Sequence, residues 1–155
     1  SDLTYFKVKS YWVYLCVILD LYSRKVIGYK VSRHMSTRLA TLTFRQTFEE
    51  RGRPDNLTFH SDRGSQYISK TFSDLLQRCG AKQSFSASGR PLDNAVAEAF
   101  FSSFKREEAY RREYTSEKHF CRSGMRAVAL TVVYWRQSMV RNIWKKMSSG
   151  NSFPH

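Results

Sequence analysis

The run Tyr11-Trp12-Val13-Tyr14-Leu15-Cys16-Val17-Ile18-Leu19 is apolar at almost every position, odd and even alike. Successive strand residues point to opposite faces, so a strand without polar alternation needs cover on both sides. The run therefore predicts a sheet-central strand. From Trp12 to Leu19 it is well short of the roughly 20 apolar residues that cross a bilayer, and no signal peptide is visible. Strand-like segments flank it, "YFKV" before and "KVIGYKV" after. Asp20-Leu21-Tyr22-Ser23 supplies turn residues at hairpin length, which makes the second and third strands antiparallel neighbours.

The pattern then changes period. Ser36 or Thr37 caps a helix to about Arg51, with Leu39, Leu42, Thr43, Gln46 and Phe48 near helical spacing, and Gly52-Arg53-Pro54 stops it. A strand is expected from Asn56 to Phe59, a helix from about Ser69 to Arg78 ended by Gly80, and a short strand from Lys82 to Phe85. "SASGRPLDN" reads as a loop. In the helix that follows, Val96, Phe100 and Phe104 form an i, i+4, i+8 row. Helix resumes after Thr115-Ser116-Glu117, and from about residue 130 the chain loses clean periodicity. Three strands, a helix, then alternating strand and helix describe a mixed five-stranded sheet flanked by helices, the ribonuclease H-like α/β order. At 155 residues, with no repeat or linker, the expectation is one domain spanning 1–155.

Charge narrows the partner. Twenty-six Lys and Arg against 13 Asp and Glu leave +13, while 41% hydrophobic residues exclude a disordered chain. A basic, aromatic-rich globule suits DNA or RNA better than a membrane. Cys16, Cys79 and Cys121 are odd in number and widely spaced, with no CxxC, so neither a disulfide framework nor a structural zinc site is suggested.

Three acids stand where strand ends or a helix face could aim them at one point: Asp2 at the start of the first strand, Asp62 in "HSDRGSQY", and Glu98 on the long helix. At 100° per residue, Asn94 and Lys105 share nearly the same helix face as Glu98, away from Val96, Phe100 and Phe104. Carboxylates without His or Cys partners favour hard cations such as Mg²⁺ or Mn²⁺. Two such ions about 4 Å apart serve phosphodiester chemistry. Turn, capping and solvated-face roles for the same acids remain open on spacing alone. Asp20 competes for the first position, and its hairpin corner favours a turn role.

"SDLTYF", "YLCVILDLYSRKVIGY", "HSDRGSQY" and "GRPLDNAVAEAFFSSFKREE" resemble the signatures of transposases of bacterial insertion sequences of the IS-three type, whose core is shared with retroviral integrases. That family carries a DDE triad with 35 residues between its second and third acids, and Asp62 and Glu98 enclose 35. The resemblance covers residues 2 to about 120. It implies catalytic, metal-holding roles for Asp2, Asp62 and Glu98, two Mg²⁺ or Mn²⁺ ions, and transfer in which a DNA 3′-hydroxyl attacks a phosphodiester. Lys105, seven positions after Glu98, Arg63 and Arg90 are implied DNA contacts, while His60, Gln66 and Asn94 support the site. It further implies a bacterial cytoplasmic, nucleoid-associated protein acting on element ends and target DNA as a homodimer or larger assembly. The tail "VVYWRQSMVRNIWKKMSSGNSFPH" departs from the family's pattern, and the upstream end-binding region is not seen, which reads as a catalytic fragment. A ribonuclease H-like nuclease and a basic DNA-binding domain that has lost catalysis are the competing expectations.

Overall fold

The structure, a computed structural model, describes residues 1–87, 95–106, 113–120 and 122. Its elements run β1 (Asp2–Val8), β2 (Tyr11–Leu19), β3 (Val26–Ser32), α1 (Thr37–Glu50), β4 (Thr58–Ser61), α2 (Ser65–Ile68), α3 (Lys70–Arg78), β5 (Lys82–Phe85), α4 (Ala95–Phe104) and α5 (Glu117–His119). Beyond residue 122, including the divergent tail, the sequence expectations fall outside the described residues.

β2 is central in a three-stranded antiparallel sheet of order β1-β2-β3. Its continuous apolar run is used on both faces. Val13, Leu15, Val17 and Leu19 join Phe6 and Val8 of β1 in a core with Ala97, Phe100, Phe101 and Phe104 of α4, completed by Tyr114 and Phe120. Ile18 faces the other way, into a second core of Ala40, Phe44 and Phe48 of α1 with Phe59, Tyr67, Phe72, Leu75 and Leu76. α1 can lie close to the sheet because Gly28 has no side chain. A Cβ there would collide with Thr47 Oγ1 and lie 2.8 Å from Thr47 Cβ.

Among the described residues the strand count is as expected, but the five strands do not form a single sheet. β4 and β5 form a separate parallel pair in the register Phe59 to Gln83 and His60 to Ser84. The end of β4 meets the beginning of β1, where Ser1 N donates to the His60 carbonyl at 2.7 Å. Flanking that link is a cleft of about 300 Å³, lined by Ser1, Ile18, Leu19, Phe44, Leu57 and Phe59 among others.

Local punctuation explains the remaining boundaries. Ser36 caps α1, its Oγ accepting from Leu39 N–H at 3.3 Å, and Gly52 follows the helix at φ +73°. β4 begins two residues later than expected because Asn56 adopts a left-handed turn at φ +56°. The one-turn α2 was not foreseen, since four residues are too few for periodicity to register. Among the described residues no helix is long and apolar enough to cross a membrane.

Candidate active site

Asp2 opens β1 opposite Val17, half-buried, with its Oδ1 accepting from Leu3 N–H at 2.7 Å. Asp62 follows the last residue of β4 and accepts from Gly64 N–H at 3.0 Å. Its carbonyl accepts from Ser61 Oγ at 2.9 Å. Both carboxylates are thus oriented by main-chain donors within two residues of themselves. Gly64 serves close approach, not a left-handed turn. Its φ is −56°, and a Cβ would sit 2.7 Å from Gln66 Nε2 and 3.0 Å from Asp62 Oδ1.

The strand ends that carry the two acids meet where Ser1, next to Asp2, bonds the His60 carbonyl of β4 at 2.7 Å. Ser1 Oγ also meets Tyr67 Oη at 3.0 Å and donates to Val17 O at 2.9 Å. Tyr67, wholly buried, carries a hydroxyl whose pKa burial raises well above the usual phenol value, and burial likewise raises the Cys16 thiol. This Ser1–Cys16–Tyr67 cluster joins the start of β1, the middle of β2 and α2. The sequence reading missed it, although an aromatic residue five places after Asp62 in an otherwise polar run was the available signal.

Glu98 lies in the first turn of α4, exposed, while Ala97, Phe100, Phe101 and Phe104 are buried. A carboxylate in the first turn is favoured by the helix dipole. Lys105, half-buried just past α4, holds its Nζ 5.5 Å from the Tyr5 ring centroid and 5.9 Å from that of Phe6. Arg63 is exposed, its guanidinium carbon 6.0 Å from the Phe85 ring. Gln66, half-buried, accepts from Ser65 Oγ at 3.2 Å. Arg90 and Asn94 lie outside the described residues.

His60 is engaged at both ring nitrogens. Nδ1 is 3.0 Å from Ser84 Oγ and Nε2 is 3.2 Å from Ser86 Oγ, so the imidazole clasps β4 to β5 and to the segment beyond it. Asp20 occupies the turn role expected of it, its Oδ1 accepting from Tyr22 and Ser23 N–H at 2.9 and 3.0 Å.

Among the described residues, no group of three or more His, Cys, Asp and Glu side chains forms that could hold a metal ion. The chemistry of the donors nevertheless suits a hard cation. Asp2 and Asp62 present carboxylate oxygens, His60 is committed to hydroxyls, and burial disfavours the Cys16 thiolate that a softer metal would require.

Comparison with known proteins follows the same lines. Residues 1–91 match the integrase core domain family. The chain is 38% identical over 118 residues to the transposase InsF for insertion sequence IS3A of Escherichia coli (strain K12), covering 76% of this chain and 41% of that protein. It is 38% identical over 107 residues to the transposase for insertion sequence element IS904 of Lactococcus lactis subsp. lactis (strain IL1403), covering 69% of this chain and 42% of that one. The chain therefore spans about two fifths of the length of these curated relatives. In structure it is similar to a chain of the simian T-cell lymphotropic virus intasome in complex with PP2A regulatory subunit B56 gamma. The TM-score is 0.65 at 19% identity, covering 84% of this chain and 45% of that chain. It is also similar to the HTLV-2 integrase catalytic core domain in complex with magnesium, dimeric form, with TM-score 0.55 and 22% identity, covering 68% and 64%. At these identities the structural likeness establishes the ribonuclease H-like fold.

Proposed function

The chain belongs to the integrase core domain family, and from that premise we propose that it is the catalytic core of a DNA transposase that transfers DNA strands. The observation that carries the reading is that the start of β1, which bears Asp2, meets the end of β4, which is followed by Asp62, with each carboxylate fixed by a backbone N–H. By resemblance to the family Glu98 would be the third acid, and the likeness to insertion-sequence transposases supports DNA ends and a DNA target as the substrate class.

Asp2, Asp62 and Glu98 would hold Mg²⁺ or Mn²⁺, two ions in the full site, whose chemistry is to activate the attacking 3′-hydroxyl and to stabilise the leaving oxygen. The chain's own residues position. Leu3 and Gly64 N–H groups set the rotamers of the two aspartates, so little side-chain freedom remains to be lost when they engage a ligand. Glu98 closes on the site from α4, and Asn94 supports it. Lys105, Arg63 and Arg90 meet the DNA backbone, where positive charge positions without reading sequence. Gln66 supports the Asp62 turn, and His60 holds the strand that presents it. The domain spans 1–155 as one catalytic unit, works as a dimer or larger assembly that brings two DNA ends together, and acts in the bacterial cytoplasm on nucleoid DNA.

The test is to incubate the chain with Mn²⁺ or Mg²⁺, a labelled element end and target DNA. Joined products are expected. Asp62→Asn should reduce joining by on the order of 10³-fold, the equivalent of several kcal/mol of lost transition-state stabilisation, without lowering DNA binding. Shortened strands without joined ones would identify a hydrolytic nuclease instead. Binding with neither product, unchanged by Asp62→Asn, would identify a DNA-binding domain without catalysis.

A further inference from the structure

The free end of the β1–β2 hairpin presents a surface that the proposed site does not use. Leu3, Tyr5 and Lys7 of β1 share a face with Trp12, Tyr14 and Cys16 of β2, because cross-strand partners in the register Tyr5 to Tyr14 and Lys7 to Trp12 point the same way. α1 covers this face at Cys16, beside Thr43, and at Gly28, beside Thr47. Towards the hairpin tip, among the described residues, the cover stops. Tyr5 and Trp12 are 52% and 50% exposed, although their rings are large enough to be the first groups a fold would bury. They meet edge to face with centroids 5.2 Å apart, and Tyr14 extends the group at 6.2 Å from Tyr5.

Cations stand along the same hairpin. Lys7 is exposed opposite Trp12, and Lys9 holds the hairpin turn at φ +53°, a conformation that favours Gly over a long side chain. Arg33 lies 4.3 Å above the Tyr11 ring on the opposite face. No Asp or Glu occurs between residues 3 and 19. Exposed rings with lysines between them, on a hairpin with no carboxylate from residue 3 to 19, form the combination that stacks bases while attracting phosphates. A protein partner would be poorly served by a hairpin carrying charge of one sign, whereas a polyanion is complementary to it.

The path from the acids to this surface is also furnished. β1 is the edge strand of its sheet, and Tyr5 and Phe6, being consecutive, point to opposite faces. Lys105 Nζ lies within 6 Å of both rings, at 5.5 and 5.9 Å, so its ammonium stands at the β1 edge between the two faces. Tyr5 is three residues from Asp2, about 10 Å along the strand. We propose that the hairpin end is a stacking platform for unpaired bases of a DNA strand whose backbone crosses the β1 edge at Lys105. The proposal rests on the DNA-transfer reading and adds to it a preference for frayed or tailed DNA ends.

The experiment compares the 155-residue chain on a blunt duplex and on the same duplex with a short single-stranded tail carrying 2-aminopurine. Wild type should bind the tailed DNA more tightly and change the 2-aminopurine emission. Trp12→Ala should lose on the order of tenfold in tailed-DNA affinity with blunt-duplex affinity unchanged, and Trp12→Phe should retain most of it. Tyr5→Leu, with an unchanged thermal midpoint as control, supplies a second variant at a half-exposed position. Lys7→Ala should lower the salt dependence of binding to both DNAs by about one ion. Equal binding of the two DNAs by wild type, or loss in Trp12→Ala that is the same on both, would overturn the platform while metal-dependent joining left the parent reading standing. Absence of any DNA binding by wild type would overturn both.

Discussion

The two faces of the three-stranded sheet are held by different means. On one, α1 sits against Gly28 and the core runs on through Phe44, Phe59, Tyr67 and Phe72 to β4, so Asp62 hangs from a strand tied into several elements. On the other, α4 lies across Phe6, Val13, Leu15 and Val17 through a short series of rings, and Glu98 rides on its exposed first turn. Asp2 and Asp62 take their directions from neighbouring backbone N–H groups, whereas the direction of Glu98 depends on how its helix seats. The difference teaches that the strand acids are set by local geometry and the helix acid by packing. Stability and catalysis should therefore respond differently to damage on the two faces.

The sharpest test pairs two fully buried phenylalanines. Phe104 contacts Phe6 at 5.3 Å and stacks near Phe100 at 6.1 Å, and Phe72 contacts Phe59 at 5.2 Å on the opposite side. Truncation of either leaves a cavity and should cost about 3–5 kcal/mol by denaturant unfolding. Assayed below both melting midpoints, Phe104→Ala should lower metal-dependent joining on the order of 100-fold more than Phe72→Ala, since small misplacement of a catalytic group is costly. Equal activities in the two folded variants would dissolve the distinction.

A smaller effect tests how closely α1 must approach. Gly28→Ala places a methyl against buried Thr47 and should destabilise by about 1–3 kcal/mol, as overpacking does. Adding Thr47→Ala should recover part of that loss, and a double-mutant cycle reads the coupling. The Ser36→Ala change removes the cap that accepts from Leu39 N–H and should cost about 1 kcal/mol in the same assay. Neither variant should alter joining by the folded protein, because neither touches α4. A fall in activity beyond the fall in folded fraction would show that the faces are coupled.

Much of this division could be read in the letters. The unbroken apolar run of β2 announced cover on both sides, and Ser36 and Gly52 marked α1 to within a residue. The Val96, Phe100 and Phe104 row named the buried side of α4, with Val96 at its edge. Less legible was anything decided by contact across the chain. Periodicity cannot tell which strand β4 will ladder with, because register between distant strands is set by three-dimensional packing. The same holds for His60, whose bonds to Ser84 and Ser86 join residues 24 and 26 positions apart. Sequence marked Asp2, Asp62 and Glu98 by residue type and interval, while the grip of Leu3 and Gly64 on the first two became visible only in coordinates.

The smallest expected effect concerns Asp20, which fastens the α1 side at the far end of β2. Backbone donation from Ser23 holds its pKa below the ordinary 3.8, against the opposing pull of burial, with Tyr22 and the Arg51 guanidinium helping. That guanidinium, on the residue that ends α1, lies 3.5 Å from Asp20 Oδ2. A carboxyl whose pKa is depressed on folding stabilises the protein fully above its unfolded value, and the contribution is lost as pH falls through the folded one. Acid titration of stability in wild type should accordingly steepen below about pH 4. In Asp20→Asn that portion of the curve should flatten, with a loss at neutral pH of under about 1 kcal/mol because the Arg51 pair is largely solvated. If Asp20→Asn left the acid limb unchanged, the tether would be incidental, and the firmer seating of α1 would rest on Gly28 and the aromatic core alone.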